Sequence, residues 1–231
     1  MKVPALIIST ALALGGATLF SANAEAAVAY TFTTSPISYD TQLSLGFTFT
    51  ANVNFDVTSL GYYNGLPGGF LTPHEVGIFA GDGAVGPGPL LASTTLAAGT
   101  SGTLGPNDFR YQAITPLALV AGQTYTIAGL SPNISGNDPW VYGGPSETVG
   151  FSVNPDITIP LDAARYEYGT PALVDPPNHY ADYQFYAVNF NGPVSTIPEL
   201  STWAMMLFGF AGLGLGAYRR AKPSMRSFAA G

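Results

Sequence analysis

Leu43-Ser44-Leu45-Gly46-Phe47-Thr48-Phe49-Thr50-Ala51-Asn52-Val53-Asn54-Phe55-Asp56-Val57 is apolar at every odd position, with Ser, Gly, Thr, Asn and Asp between. A period of two sends alternate side chains to opposite faces, so one face buries while the other meets water. This is the pattern of an antiparallel strand. Fifteen residues are long for one strand, so the run predicts a bulge or tight turn near 52–54.

Shorter alternating runs follow at Val76-Ile78-Ala80, Phe109-Tyr111-Ala113 and Tyr125-Ile127. The run from Tyr180 to Phe190 is aromatic on both faces and is expected to form a central strand. Gly/Pro clusters at 65–69, 81–89, 131–139 and 171–177 punctuate these runs. No stretch before Pro198 keeps a 3.6-residue period over three turns. Many short strands with Gly/Pro turns predict an all-β fold, specifically an antiparallel two-sheet, jelly-roll-like β-sandwich over 25–196.

Composition narrows the function classes. Only 9% of the 231 residues are charged and there is no Cys, so disulfides and Cys-ligated zinc are excluded. With two histidines, His74 and His179, a His-rich metal cluster is excluded as well. Residues 25–196 hold 13 acids against Arg110 and Arg165 alone, a net charge of −11 that the whole-chain value of −7 conceals. Such a domain offers no basic stripe to neutralise phosphates, so nucleic acid is not an expected partner.

The two ends differ from the middle. Met1-Lys2 precedes an apolar run from Val3 to Phe20, and small residues follow as Ala22-Asn23-Ala24. A positive start, an apolar stretch and an A-x-A site make up a secretory signal peptide over 1–24. Cleavage is expected after Ala24, with Ala26 as the alternative. Toward the other end, residues 203–218 carry no charge between Trp203 and Tyr218, aromatics suited to a membrane interface. The run is short for a spanning helix, which needs about 20 apolar residues, so the bilayer would thin or the flanks would contribute. Arg219, Arg220, Lys222 and Arg226 come next and place the tail, 223–231, in the cytoplasm by the positive-inside rule.

Pro198-Glu199, Trp203-Ala204, the Gly-rich apolar run and the pair Arg219-Arg220 together resemble the PEP-CTERM sorting signal in its PEPxxWA form, over 197–222. The resemblance implies an exported protein of a Gram-negative bacterium. Its processing enzyme would be exosortase, acting at Pro198-Glu199 after an inner-membrane intermediate and releasing the protein to the cell surface or beyond. It also implies association with exopolysaccharide. Leu200 stands where the motif has its second proline, and slower processing with a membrane-anchored product is the alternative fate this implies. A second resemblance covers 40–130, where Ala121-Gly122-Gln123-Thr124-Tyr125 leads into a late strand. That order is similar to uncharacterised β-sandwich modules of bacterial extracellular proteins and implies a fold only.

Chemistry in the middle is sparse. Gly81-Asp82-Gly83-Ala84-Val85-Gly86 precedes prolines rather than a helix and reads as a turn, not a phosphate cradle. His74 and His179 stand at strand or loop ends, where a solvated or capping role is expected rather than that of a base. Asp40, Asp82, Asp138, Asp156 and Asp175 lie in turn-like surroundings, where Asp accepts backbone hydrogen bonds. A Ca²⁺ site built from such loops is an alternative, although no D-x-D-x-D loop occurs and no other metal or cofactor is implied. Trp140 and Tyr142 in one loop, and Tyr62 and Tyr63 before Asn64-Gly65, are candidate sugar-binding platforms; the competing reading has Trp140 plugging one end of the fold. The function that follows is a non-catalytic surface or matrix protein. A secreted hydrolase of glycans or esters, using His74 or unrecognised acids, is the alternative.

Overall fold

The computed structural model describes residues 27–39, 42–83, 86–132, 138–143, 147–181 and 184–192, with Gly209, Phe210 and Leu213. The signal-peptide residues Ala22 and Ala24, the motif residues Pro198, Glu199, Trp203, Ala204, Arg219 and Arg220, and the tail lie outside them. So does the run 203–218, those three residues excepted. Among the described residues no helix is long and apolar enough to cross a membrane.

The fold is all-β and antiparallel. Its strands are β1 (Ala27–Val28), β2 (Tyr30–Thr31), β3 (Ile37–Tyr39), β4 (Leu43–Ala51), β5 (Phe55–Tyr63) and β6 (His74–Ala80). Then come β7 (Leu90–Leu96), β8 (Thr103–Leu104), β9 (Phe109–Leu119), β10 (Thr124–Ser131), β11 (Pro139–Gly143) and β12 (Ser152–Val153). The last are β13 (Ile157–Thr158), β14 (Ala164–Tyr168), β15 (Asn178–Tyr180), β16 (Gln184–Phe185) and β17 (Val188–Gly192). A five-stranded sheet runs β1-β17-β5-β9-β8. A seven-stranded sheet runs β15-β14-β4-β10-β6-β7, with β13 also paired to β4. Two small sheets, β16-β11-β3 and β12-β2, complete the pairing.

The alternating run 43–57 does turn at 52–54, and the turn carries the chain from one large sheet to the other. β4 pairs with β10 and β14, whereas β5 pairs with β9 and β17. Two side-chain amides pin the crossing. Asn52 Nδ2 donates to Pro155 O at 2.9 Å, and Asn54 Oδ1 accepts from Ala121 N–H at 2.8 Å.

The single central strand expected over 180–190 is corrected. The stretch divides among β15, β16 and β17, which belong to three different sheets. Its aromatics alternate on no single face because successive ones serve different partners. Tyr180 pairs in register with Ala164 on β14, and Phe190 pairs with Leu60 on β5.

One hydrophobic cluster draws on both large sheets: Leu45, Phe47, Phe49 and Ile127 from one, Val57, Leu60, Phe109 and Phe190 from the other. Phe49 and Phe190 meet across the interior with ring centroids 5.0 Å apart. Gly129 on β10 allows a close approach between the two large sheets. A Cβ there would lie 2.5 Å from Val188 Cγ1 and 2.8 Å from the Tyr62 ring, so any larger residue would push β10 away from β17 and β5.

Candidate functional site

The aromatic platform expected at Tyr62, Tyr63, Trp140 and Tyr142 is not offered to solvent. Tyr62 is 1% exposed, Tyr63 and Trp140 each 7%, and Tyr142 is half-buried. The stretch holding Trp140 and Tyr142 is a strand, β11, held between β3 and β16. The two rings pack on each other at 5.4 Å, and Trp140 joins the main cluster. Tyr63 packs edge-on against Phe109 at 5.7 Å. Tyr62 and Tyr63 leave β5 on opposite faces, and both are covered, Tyr62 by His74 and Tyr63 by Phe109.

His74 is likewise not a solvated strand end but wholly buried. Its ring stacks on Tyr62 at 4.0 Å and meets Phe70 edge-on at 4.9 Å. Nδ1 lies 3.1 Å from Leu130 O, a carbonyl that only accepts, so this nitrogen donates. Nε2 lies 3.1 Å from Asp138 Oδ2. The same carboxylate accepts the backbone N–H groups of Leu71 and Thr72 and the Thr72 hydroxyl. Burial pushes the Asp138 carboxyl up, but the hydrogen bonds from His74, Leu71 and Thr72 outweigh it and hold the group below its usual range. The contact is a buried side-chain pair that joins β6, β10, the 70–73 turn and the start of β11. Both ring nitrogens are engaged and Tyr62 stacks on the ring, so His74 is packed into the interior rather than presented to solvent.

Arg165 feels the charges of Asp82, Asp162 and Asp175. Arg165 is 8% exposed; its Nε donates to Asp82 O and its Nη1 to Asp162 O, both at 2.9 Å. Asp175 Oδ2 accepts Gly88 N–H at 2.7 Å, closing the 81–88 loop over the 170–177 segment. Burial leads the influences that raise the Asp175 carboxyl above its ordinary value, the Gly88 hydrogen bond and Arg165 opposing it. Among the described residues no group of three or more His, Asp or Glu is placed to hold a metal ion. Asp40 lies outside them. His179 is exposed on β15.

One open concavity of about 340 Å³ runs between β7 and β9, lined by uncharged residues that include Leu91, Ser93, Ile114 and Pro116. The register of β9 on β5 shifts beside Pro116, which is among the lining residues.

No family model matches the chain, and no curated protein matches it either.

Tyr39 on β3 is 60% exposed, and two further exposed tyrosines lie together at the β14/β15 edge of the seven-stranded sheet. Tyr168 is 56% and Tyr180 46% exposed, and half-buried Tyr166 anchors them against the main cluster. Tyr166-x-Tyr168 in a short strand is a visible signal in the sequence. What the sequence withholds is that Tyr180, a dozen residues later, folds back beside it.

Proposed function

We propose that this is an exported, non-catalytic surface or matrix protein of a Gram-negative bacterium. Residues 25–196 form a jelly-roll-like, two-sheet β-sandwich that leaves the cell behind the signal peptide 1–24. Residues 197–222 act as a PEP-CTERM-type sorting signal, with the helix 203–218 held in the inner membrane until exosortase acts at Pro198-Glu199. The mature domain then reaches the cell surface or the surrounding matrix, where exopolysaccharide is its expected company. Rings that meet across two sheets, Phe49 with Phe190 and Tyr62 with His74, support the sandwich. The sorting reading rests on the ordered coincidence of Pro198-Glu199, Trp203-Ala204, an uncharged run and Arg219-Arg220. It is supported by helical backbone at Gly209, Phe210 and Leu213 that leaves Phe210 67% and Leu213 73% exposed, as suits side chains meant for lipid.

The test is fractionation of the producing cells. The native product is expected outside the inner membrane and about 30 residues shorter than that of Pro198→Ala with Glu199→Ala, which stays in the membrane fraction with its C-terminal segment. Equal mass and equal fraction for the two would refute the sorting reading.

A further inference from the structure

The exposed tyrosines at the β14/β15 edge form one surface. In the register of the two strands Ala164 faces Tyr180 and Tyr166 faces Asn178. Alternation along β14 therefore puts Tyr166 and Tyr168 on one face with Asn178 and Tyr180. Tyr166 and Tyr180 stack at 4.8 Å with 16° between their planes, and a side-chain hydrogen bond joins them. Tyr168 meets Tyr166 edge-on at 5.3 Å. The three rings thus hold fixed orientations. Beside them Asn178 Nδ2 donates to Glu167 Oε2, a polar pair at the margin of the rings.

We infer that this tyrosine surface binds a neutral polysaccharide. A pyranose carries C–H groups on one face and hydroxyls around its rim. The first pack on an aromatic ring, and the second are met by phenol hydroxyls and the Asn178 amide. The charge pattern selects the class of polymer. Residues 25–196 carry −11, and their two cations, Arg110 and Arg165, are both buried, so a polyanion is repelled. A membrane is the poorer occupant, because interfacial surfaces combine large apolar side chains with exposed Lys or Arg, and no Lys or Arg is exposed here. Protein docking would need on the order of 1,000 Å² of buried surface, more than three phenol rings provide. The inference rests on the export reading only for where the protein meets its polymer; the binding itself does not depend on it.

The test uses the purified full-length chain in mild detergent, with co-sedimentation on insoluble cellulose and curdlan and affinity electrophoresis in mannan and alginate. Retention is expected on at least one of the three neutral polymers and not on alginate. Tyr168→Ala with Tyr180→Ala is expected to weaken that retention at least 10-fold. Tyr168→Phe with Tyr180→Phe keeps the rings and is expected to retain most of it. Tyr39→Ala, at a tyrosine 60% exposed on β3, serves as the control and should bind as the native chain does. An unchanged thermal melt guards against reading unfolding as lost contact. Three outcomes overturn the proposal: no retention on any neutral polymer, equal retention by the double alanine variant, or equal loss in Tyr39→Ala. If binding holds while fractionation shows no sorting, the export reading fails and the site stands.

Discussion

The His74–Asp138 pair has the composition of a catalytic dyad and the surroundings of a structural rivet. Removing one partner of a buried pair leaves the other uncompensated, a loss of about 3–5 kcal/mol in comparable cases. Asp138→Ala should therefore lower the urea midpoint strongly, because it strips an acceptor from the Leu71 and Thr72 amides as well as from His74. Acid titration gives a sharper reading. The Asp138 carboxyl sits below its ordinary value in the folded protein, so its contribution is fully present above the unfolded-state value of about 3.9. That contribution is lost as pH falls through the lower folded value. Thermal melts from pH 6 downward should show this acid-side loss in the native chain, and Asp138→Asn should show a flatter profile from a lower starting point. Identical slopes would mean that the carboxylate contributes no such linkage.

Among the elements, β10 sits inside the seven-stranded sheet and packs closely on the five-stranded one. It pairs with β4 and β6 on its edges and touches β17 and β5 through the bare backbone of Gly129. Gly129→Val should destabilise by about 1–3 kcal/mol, the range for overpacking a filled interior, read as a shift in denaturant midpoint without a change in slope. No shift would mean that the interior there is slack. The turn at 52–54 was legible because fifteen alternating residues exceed the length of ordinary strands and the two asparagines mark the break. That β4 and β5 pair with other strands rather than with each other was not legible. Alternation records which face of a strand is buried and is silent on which strand lies beside it. The aromatic stretch 180–190 misled for the same reason, since three short strands serving three sheets superpose into what looks like one strand aromatic on both sides.

Across the whole molecule, the charge is lopsided in a way that composition alone understates. With Arg110 bonded to Asn64 and Thr100, and Arg165 to Asp82 and Asp162, both bases of the domain are spent inside. The acidic residues that remain outside repel one another unscreened. Raising NaCl from about 0.01 M to about 1 M shortens the screening length from about 30 Å to about 3 Å, so the melting temperature should rise. A fall would point instead to stabilising surface ion pairs. The candidate binding surface follows a similar logic. Aromatics flagged by their neighbourhood, Trp140 and Tyr62, were drawn into the core, and exposed Tyr168 and Tyr180 meet at a sheet edge.

Strand character, the break at 52–54, the acidity of the domain and the features at the two ends follow from the order of residues, because periodicity, turn chemistry and charge act over a few neighbours. Strand pairing, the burial of His74 and Trp140, and the meeting of Tyr180 with Tyr166 follow from contacts between distant residues. The register of one strand on another is set by the packing of the entire interior, and no local pattern encodes it.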